Sequence, residues 1–344
     1  MRRLAPDTRG LRSGVAGGLR RRRAPWSDRR AARALGGVSL LIALGIIAMI
    51  VFVVRGAWPM ISHQGLSWLG SGGDVDRQLE NMLGTSGNPP SSAYYFRAWP
   101  LIYGTLLTTG FAVLLGLPLA ILSSIFIVEF APPSLRRVTI PVVRLLAAIP
   151  SVVYGLIGVL VLVPYVGNHL ITAAERTWMQ NRVELTGAGL APAAVILTVM
   201  ITPIMVALIC EALITVPRAW REGAIALGLN PLRATLAVTL RAARPAIAAA
   251  VVLATARALG EAVMLSMVSG SRSFTPSLAD GRTFLFEPLR TVAAAIIESA
   301  EGVGAPALYA AIYSLALLLL FSALALSVAG YLVKLPLRKY QVRA

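Results

Sequence analysis

The chain has 344 residues, 57% hydrophobic and only 14% charged, with a mean hydropathy of +0.74, which is too apolar for an ordinary soluble domain. The net charge of +17 does not indicate a nucleic-acid partner, because the arginines lie outside the apolar stretches, where the positive-inside rule places them in membrane proteins. One cysteine, Cys210, and two histidines, His63 and His169, exclude a disulfide framework and a metal site built from cysteines or many histidines.

Six stretches are long and apolar enough to cross a bilayer, whose core of about 30 Å needs about 20 helical residues. They are residues 34–54, 102–128, 140–166, 191–210, 246–268 and 306–333. The sequence therefore predicts an all-α integral membrane protein with six transmembrane helices. A basic tail, residues 1–33, precedes the first stretch and includes Arg20, Arg21, Arg22, Arg23, Arg29, Arg30 and Arg33. Because no small-residue cleavage site follows the first stretch, we predict an uncleaved first helix.

The charges of the connecting segments predict the orientation. Residues 1–33, 129–139, 211–245 and 334–344 together carry 22 Lys and Arg residues. The alternate segments, residues 55–101, 167–190 and 269–305, carry eight Lys and Arg against nine acidic residues. The first set is therefore predicted to be cytoplasmic and the second extracytoplasmic, with both termini in the cytoplasm.

The third stretch contains the sequence "AAIPSVVYG". Pro150 frees a backbone carbonyl within this predicted span, and the small residues Ser151 and Gly155 allow another helix to approach closely. Such interruptions are tolerated where helices line a cavity. We therefore place Pro150, Ser151 and Tyr154 among the candidate residues of a translocation path.

The cytoplasmic segment 211–245 has the pattern of two helices joined by a turn. Trp220, Ala224 and Leu227 have helical spacing, and the Asn230-Pro231 pair then ends the run. Leu232, Leu236 and Leu240 continue at intervals of four residues toward the fifth span. The segment is either a connector whose arginines bind lipid phosphates or a docking element for a cytoplasmic protein.

This segment resembles the EAA loop of ABC-importer permeases. The resemblance rests on Glu222-Gly223-Ala224, on Gly228 four residues later, and on Val238 and Leu240. It implies a coupling helix that seats in a groove of the ATPase, with Arg221, Glu222, Gly223, Ala224 and Gly228 as the coupling residues. The sequence departs from the family where Gly223 replaces the middle alanine and where Arg241 replaces the usual proline, which leaves Pro245 as the nearest one.

Three further stretches resemble the permease subunits of phosphate-specific (Pst) importers, particularly the PstC type. They are "YGTLLTT" at 103–109, "LLAAIPSVVYGLIGV" at 145–159 and "ARALGEAVMLSMVSG" at 256–270. The resemblance covers residues 100–335 and implies a type I permease domain over 102–333, in a multi-pass protein of a prokaryotic cytoplasmic membrane. It also implies three protein partners, namely a PstA-type permease, PstB-type ATPase subunits and an extracytoplasmic PstS-type phosphate-binding protein. Residues 63–97, rich in Gly, Pro and Ser, are then either a disordered loop or a contact for the binding protein.

Three ionisable residues lie within the predicted spans, where a charge costs about 2.5–3.5 kcal/mol on insertion scales. Arg144 is close enough to the cytoplasmic end to reach the lipid headgroups. Arg257 and Glu261 lie deeper and are spaced to pair on one helix face. The pair either fixes two spans together or lines a path in which the guanidinium binds an oxyanion.

No catalytic motif competes with a transport role. The sequence contains no H-E-x-x-H, no G-x-S-x-G and no G-x-x-x-x-G-K-[ST]. We therefore assign no catalytic, metal or cofactor residues, and we place ATP hydrolysis in a separate subunit. Two alternatives stay open at this point: a permease for molybdate or sulfate, and an intramembrane enzyme that uses Glu261 as an acid or base.

Overall fold

The computed structural model describes residues 26–337, and predictions made for residues 1–25 and 338–344 lie outside them. The chain divides into two compact units, Met1–Phe52 and Val53–Ala344. Within the first unit, residues 26–52 form the beginning of one long helix. The second unit contains the rest of that helix and all the other elements.

The described residues are mainly helical, and their one β-type contact is an isolated bridge between Gly270 and Leu289. The α-helices are α1 (Trp26–Gln64), α2 (Val75–Leu83), α3 (Trp99–Ile125), α4 (Pro133–Ala147), α5 (Ser151–Ile157), α6 (Val163–Tyr165), α7 (Ala173–Met179), α8 (Leu190–Thr215), α9 (Arg218–Ala226), α10 (Pro231–Ala234), α11 (Leu240–Leu259), α12 (Val263–Val268), α13 (Val292–Glu298) and α14 (Pro306–Leu337). Single π-helical turns occupy Phe126–Phe130, Gly158–Leu162, Val166–Leu170 and Thr235–Thr239. The all-α prediction is confirmed.

Six helical segments within the described residues are long and apolar enough to cross a membrane, judged by length and composition. They are Ala31–Gln64, Ser91–Phe130, Ser151–Leu170, Leu190–Thr215, Pro231–Leu259 and Pro306–Leu332. Their number agrees with the sequence prediction, but their bounds differ from the predicted ones. In two of the predicted stretches, 140–166 and 246–268, the helix is interrupted.

The span predicted over 140–166 is two separate helices. α4 ends at Ala147, and a new helical run begins at Ser151, directly after Pro150. Proline disfavours the α conformation of the residue before it and cannot donate a backbone hydrogen bond, so the helix stops. Arg144 consequently lies in the last turn of α4, outside the segment that is long enough to span.

The span predicted over 246–268 also ends early, because α11 stops at Leu259. Gly260 follows it, and the Glu261 side chain accepts a hydrogen bond from the backbone N–H of Met264 at 3.1 Å, which satisfies a free donor at the start of α12. At its other end the span begins earlier than predicted, at Pro231. The second arm of the 211–245 segment is therefore continuous with the fifth span, and Arg241 is an exposed residue of α11.

The core of the second unit is built around α8, the most buried span, which packs along α3. The contacting face of α3 carries small residues every four positions: Ala112, Gly116, Ala120 and Ser124. The Ser124 hydroxyl also lies 3.3 Å from the backbone carbonyl of Val206 on α8. Small residues at this spacing let two membrane helices approach closely, which replaces the hydrophobic driving force that lipid cannot supply.

The segment 63–97, predicted to be extracytoplasmic, forms a packed element instead of the disordered loop considered from its composition. Asp74 is the N-cap of its helix α2, and the Asp74 carboxylate accepts hydrogen bonds from the backbone N–H groups of Asp76 and Arg77. Leu79 and Met82 of α2 are buried in an apolar cluster with residues of α3, α13 and α14. The segment is thus part of the folded second unit.

Candidate translocation and coupling sites

The two interrupted helices meet each other. α5 packs against α12, and Gly155 of α5 and Gly158 of the following π turn lie at the contact. A Cβ added to Gly155 would lie 3.1 Å from the Met264 Cα, and one added to Gly158 would lie 2.5 Å from a methyl group of Val268. The sequence stretches that contain Pro150 and Glu261 are therefore brought together, although about 110 residues separate them.

Tyr154 is buried within this contact, with 8% of its surface exposed. Its hydroxyl donates a hydrogen bond to the backbone carbonyl of Leu146 at 3.1 Å. This bond joins α5 to the end of α4 across the Pro150 interruption. Ser151 is half-buried and Pro150 is exposed at the same turn.

Arg257 and Glu261 do not form the predicted ion pair. Helical spacing would bring the two side chains together, but α11 ends between them. Glu261 is buried and binds the N–H of Met264. Among the described residues no carboxylate lies within 4.0 Å of the Arg257 guanidinium, which is exposed in the last turn of α11.

Arg257 lies within electrostatic range of Tyr154, so the structure brings these two candidate path residues to the same region. A guanidinium with no carboxylate partner keeps its fork of N–H donors available to an oxyanion. The described residues therefore do not contain the structural ion pair that the sequence suggested as one alternative. The Glu261 carboxylate lies at the start of α12 instead.

The candidate coupling loop, residues 211–245, has the helix–turn–helix form that the sequence predicts. α9 ends in a Schellman motif, with hydrogen bonds from Leu229 N to Ala224 O at 3.2 Å and from Gly228 N to Ile225 O at 2.9 Å. Gly228 occupies the left-handed position of this motif, with φ of +94°. A Cβ on Gly228 would meet no atom within 4 Å, so this glycine is needed for the backbone turn.

The exposed surface of α9 carries apolar side chains. Trp220 and Ile225 are each 38% exposed, and Leu227, just after the helix, is 86% exposed. Glu222 and Gly223 are exposed as well, and Gly223 has open space around it. Ala224 is the buried residue of α9, which packs against α10 and the turn Thr235–Thr239.

Two ion pairs on the predicted cytoplasmic side were not foreseen. Arg144 lies 2.7 Å from Glu211, near the end of α8, where lipid headgroups were expected as its partner. Arg221 of α9 pairs with Glu129, in the π turn that ends the second span. The sequence feature that could have predicted these pairs is the position of Glu129 and Glu211. Both are acidic residues at the predicted inner ends of spans, where basic residues dominate.

A network on the predicted extracytoplasmic side joins the first and last outer segments. The Arg290 side chain, 10% exposed, pairs with Glu298 at 2.6 Å and with Asp76 at 3.4 Å. Asp76 also accepts hydrogen bonds from the hydroxyl and N–H of Ser273, at 2.6 and 3.0 Å. A cavity of about 700 Å³ opens beside the network, and its lining includes Asp76, Ser273 and Arg272.

Glu287 lies in residues 269–305, the last predicted outer segment, and is fully buried. Its carboxyl accepts a hydrogen bond from the N–H of Ser277 at 3.0 Å. Burial raises the pKa of Glu287 to about 7, and the nearby Asp280 acts in the same direction, whereas the Ser277 hydrogen bond and Arg182 oppose the shift. This carboxyl therefore titrates near neutral pH.

Comparison with known proteins agrees with this architecture. Residues 112–333 match the family described as binding-protein-dependent transport system inner membrane component. The chain is 33% identical over 239 residues to the probable ABC transporter permease protein YqgH of Bacillus subtilis, covering 70% of this chain and 67% of that protein. It is 32% identical over 278 residues to the phosphate transport system permease protein PstC of Mesorhizobium japonicum, covering 78% and 77%.

A further relative is the phosphate transport system permease protein PstC of Haemophilus influenzae, 29% identical over 269 residues, which cover 75% of this chain and 78% of that protein. The family match extends from within α3 to within α14 and includes the candidate coupling loop and both interrupted helices. The resemblance to ABC-importer permeases is confirmed. The chain is a multi-pass membrane protein and belongs to the family of binding-protein-dependent transport system inner membrane components.

Proposed function

We propose that the chain is one permease subunit of an ATP-driven importer of inorganic phosphate. The observation that carries the proposal is α9, a short helix with exposed apolar side chains, which ends in a glycine turn and is joined to a span on each side. A partner that binds this surface can displace both spans at once. The names of the PstC relatives support phosphate as the substrate.

The proposed complex contains four kinds of subunit. This chain pairs with a PstA-type permease through its 102–333 domain, and PstB-type ATPase subunits bind the 211–245 loop in the cytoplasm. A PstS-type protein delivers phosphate at the outer segments, where the 700 Å³ cavity lies. The chain itself is a transport subunit of a prokaryotic cytoplasmic membrane with both termini inside, and it needs no cofactor of its own.

The proposed path runs along the contact of α5 and α12. Pro150, Ser151 and Tyr154 lie at one interruption, and Glu261 lies at the other. Arg257 supplies an unpaired positive charge for phosphate, which carries one to two negative charges near neutral pH. Because the guanidinium is exposed, it offers an attraction weak enough to permit release, which transport requires.

Co-expression with the three proposed partners, followed by reconstitution into vesicles, tests the proposal. We expect the complex to purify with the ATPase and to accumulate radiolabelled phosphate only when ATP and the binding protein are present. Excess sulfate or molybdate should not compete. ATP-dependent uptake of one of those anions in place of phosphate would contradict the proposed substrate, and substrate turnover by the chain alone would contradict a transport role.

A further inference from the structure

The Glu129 carboxylate lies at the predicted cytoplasmic end of the second span and is only 7% exposed. A carboxylate in such a position needs a compensating charge, because burial removes its hydration. Among the described residues, the compensating charge within ion-pair distance comes from Arg221 of the coupling helix α9. The pair therefore joins the docking element to a membrane span.

The end of this span favours positive charge for a second reason. Its last helical turn, Phe126–Phe130, exposes backbone carbonyls, and the Arg136 guanidinium lies 3.4 Å from the carbonyl of Val128. Arg136 belongs to α4, which packs against the same turn. Arg221 thus binds a preformed acceptor site at this helix end.

α9 is otherwise held mainly by its own loop. Its buried residue, Ala224, faces α10 and the turn Thr235–Thr239, and two residues, Val216 and Pro217, connect it to α8. The Arg221–Glu129 pair gives α9 a direct side-chain attachment to the span that contains α3. That span packs along α8 and also contacts α11, so it belongs to the core of the membrane domain.

We propose that Arg221 and Glu129 form a positioning contact that transmits the displacement of α9 to the α3 span. Arg221 then acts toward the membrane domain and not toward the ATPase, while Trp220, Glu222 and Gly223 remain on the exposed surface. The inference rests on the proposed transport function. It deepens that function by assigning a particular ion pair to the step between ATPase movement and helix movement.

The first experiment measures coupling, the number of phosphate ions moved per ATP hydrolysed, in the reconstituted complex. We expect Glu129→Gln and Arg221→Gln each to lower this ratio by about tenfold while the ATPase remains bound and active. The double variant should be no worse than either single variant, because both remove one contact. Independent, additive losses in the double variant would overturn the proposal.

The combined change Glu129→Arg and Arg221→Glu should restore much of the coupling. The exchange is compatible with both helix dipoles, since it puts a cation at the C-terminal end of one helix and an anion near the N-terminal end of the other. Arg218→Gln is the matched control: Arg218 is an exposed arginine of the same helix with no carboxylate partner among the described residues, and its loss should leave coupling unchanged.

The second experiment does not depend on phosphate. Spin labels are placed on cysteines introduced at Ala219 of α9 and Ser134 of α4, both exposed, in the full chain with Cys210→Ala and embedded in lipid. We expect Glu129→Gln to broaden the distance distribution between the labels and Arg218→Gln to leave it unchanged. An unchanged distribution in Glu129→Gln overturns the positioning contact. Failure of the proposed function would instead appear in the unaltered complex, as absent transport.

Discussion

Gly155 of α5 lies against the backbone of Met264 in α12, where an added Cβ would come within 3.1 Å of the Met264 Cα. The contact leaves no room for a side chain, so two helices that each begin at an interruption are held in fixed register. The helix break at Pro150 and the helix break at Gly260 are therefore parts of one packed structural unit.

Adding a side chain at this contact should destabilise the protein. We expect Gly155→Ala to lower the free energy of unfolding by about 1–3 kcal/mol, the usual cost of overpacking, because the Met264 backbone cannot move away easily. Gly110→Ala is the control, since Gly110 is an exposed helical glycine with no atom near an added Cβ. Unfolding in detergent measures both variants, and equal stability of the two would argue against a close contact.

Replacement of Arg257 should separate transport from assembly. Because its guanidinium has no carboxylate partner among the described residues, Arg257→Gln should leave membrane insertion and ATPase binding intact while it abolishes phosphate uptake. Arg257→Lys should restore uptake only in part, because an ammonium lacks the planar fork. Uptake and co-purification are measured on the same preparations, and loss of the assembled complex in the Gln variant would indicate a structural role.

A substitution at Gly223 tests more clearly than one at Gly228 whether the exposed face of α9 binds the ATPase. Gly228→Leu would also block docking, but its φ of +94° means that any side chain there strains the turn by about 1–2 kcal/mol. Gly223 has helical geometry and open space, so Gly223→Leu adds bulk to the exposed face without backbone strain. We expect it to uncouple or release the ATPase.

Gly223→Ala is the matched control and should retain coupled transport, since alanine is the residue typical of the family and favours a helix by about 1 kcal/mol over glycine. ATPase activity and uptake in vesicles measure both variants. Normal coupling in Gly223→Leu would leave a lipid-anchored connector as the better interpretation of the loop.

Glu287 should make stability depend on pH. The folded protein holds this proton up to about pH 7, whereas a glutamate with the ordinary pKa of 4.5 loses it earlier, so the folded state binds more protons between these values. The contribution of Glu287 to the free energy of unfolding should therefore be greatest below pH 4.5. It should fall by about 3 kcal/mol as the pH rises through 7.

Glu287→Gln should remove this pH dependence, because the amide oxygen still accepts the Ser277 hydrogen bond but cannot ionise. Unfolding in detergent at pH 5 and pH 8 measures the difference between the variant and the unaltered protein. The same fall in stability in both proteins would assign the effect to other groups.

The predicted topology can be tested with reporters. A reporter fused after residue 344 and one inserted near residue 225 should both be cytoplasmic, because their flanking segments carry the excess of basic residues. An insertion near residue 85, between α2 and the next span, should report the opposite side. A cytoplasmic signal there, or an extracytoplasmic signal at residue 225, would contradict the six-span orientation.

Local patterns in the sequence predicted the features that depend on local physics. Apolar length predicted the number of spans, and the Asn230-Pro231 pair predicted the turn after α9, where the Asn230 side chain caps α10. The interruption at Pro150 was also predicted, whereas the one at Gly260 was not. Apolar length alone did not show that either stretch divides into two helices.

Charge partners were the features that the sequence could not predict. Arg144 pairs with Glu211, 67 residues away, and Arg257 lacks the neighbour that its spacing suggested. An i, i+4 rule holds only while the helix continues, and Gly260 ends it. The folding of residues 63–97 likewise depends on apolar partners in α13 and α14, which composition alone does not reveal.

The outer network also has a consequence for biosynthesis. Asp76 binds Ser273 and Arg290, which lie 197 and 214 residues later in the chain, and four membrane spans separate them. At ribosomal rates, 200 residues take roughly 10–40 s to synthesise. The contacts of the first predicted outer segment with α13 and α14, and its Asp76 network, therefore form only after nearly the whole chain has been synthesised. Formation of this network requires a nearly complete chain. We expect a chain truncated before residue 273 to leave the partners of Asp76 missing and to be degraded by membrane proteases.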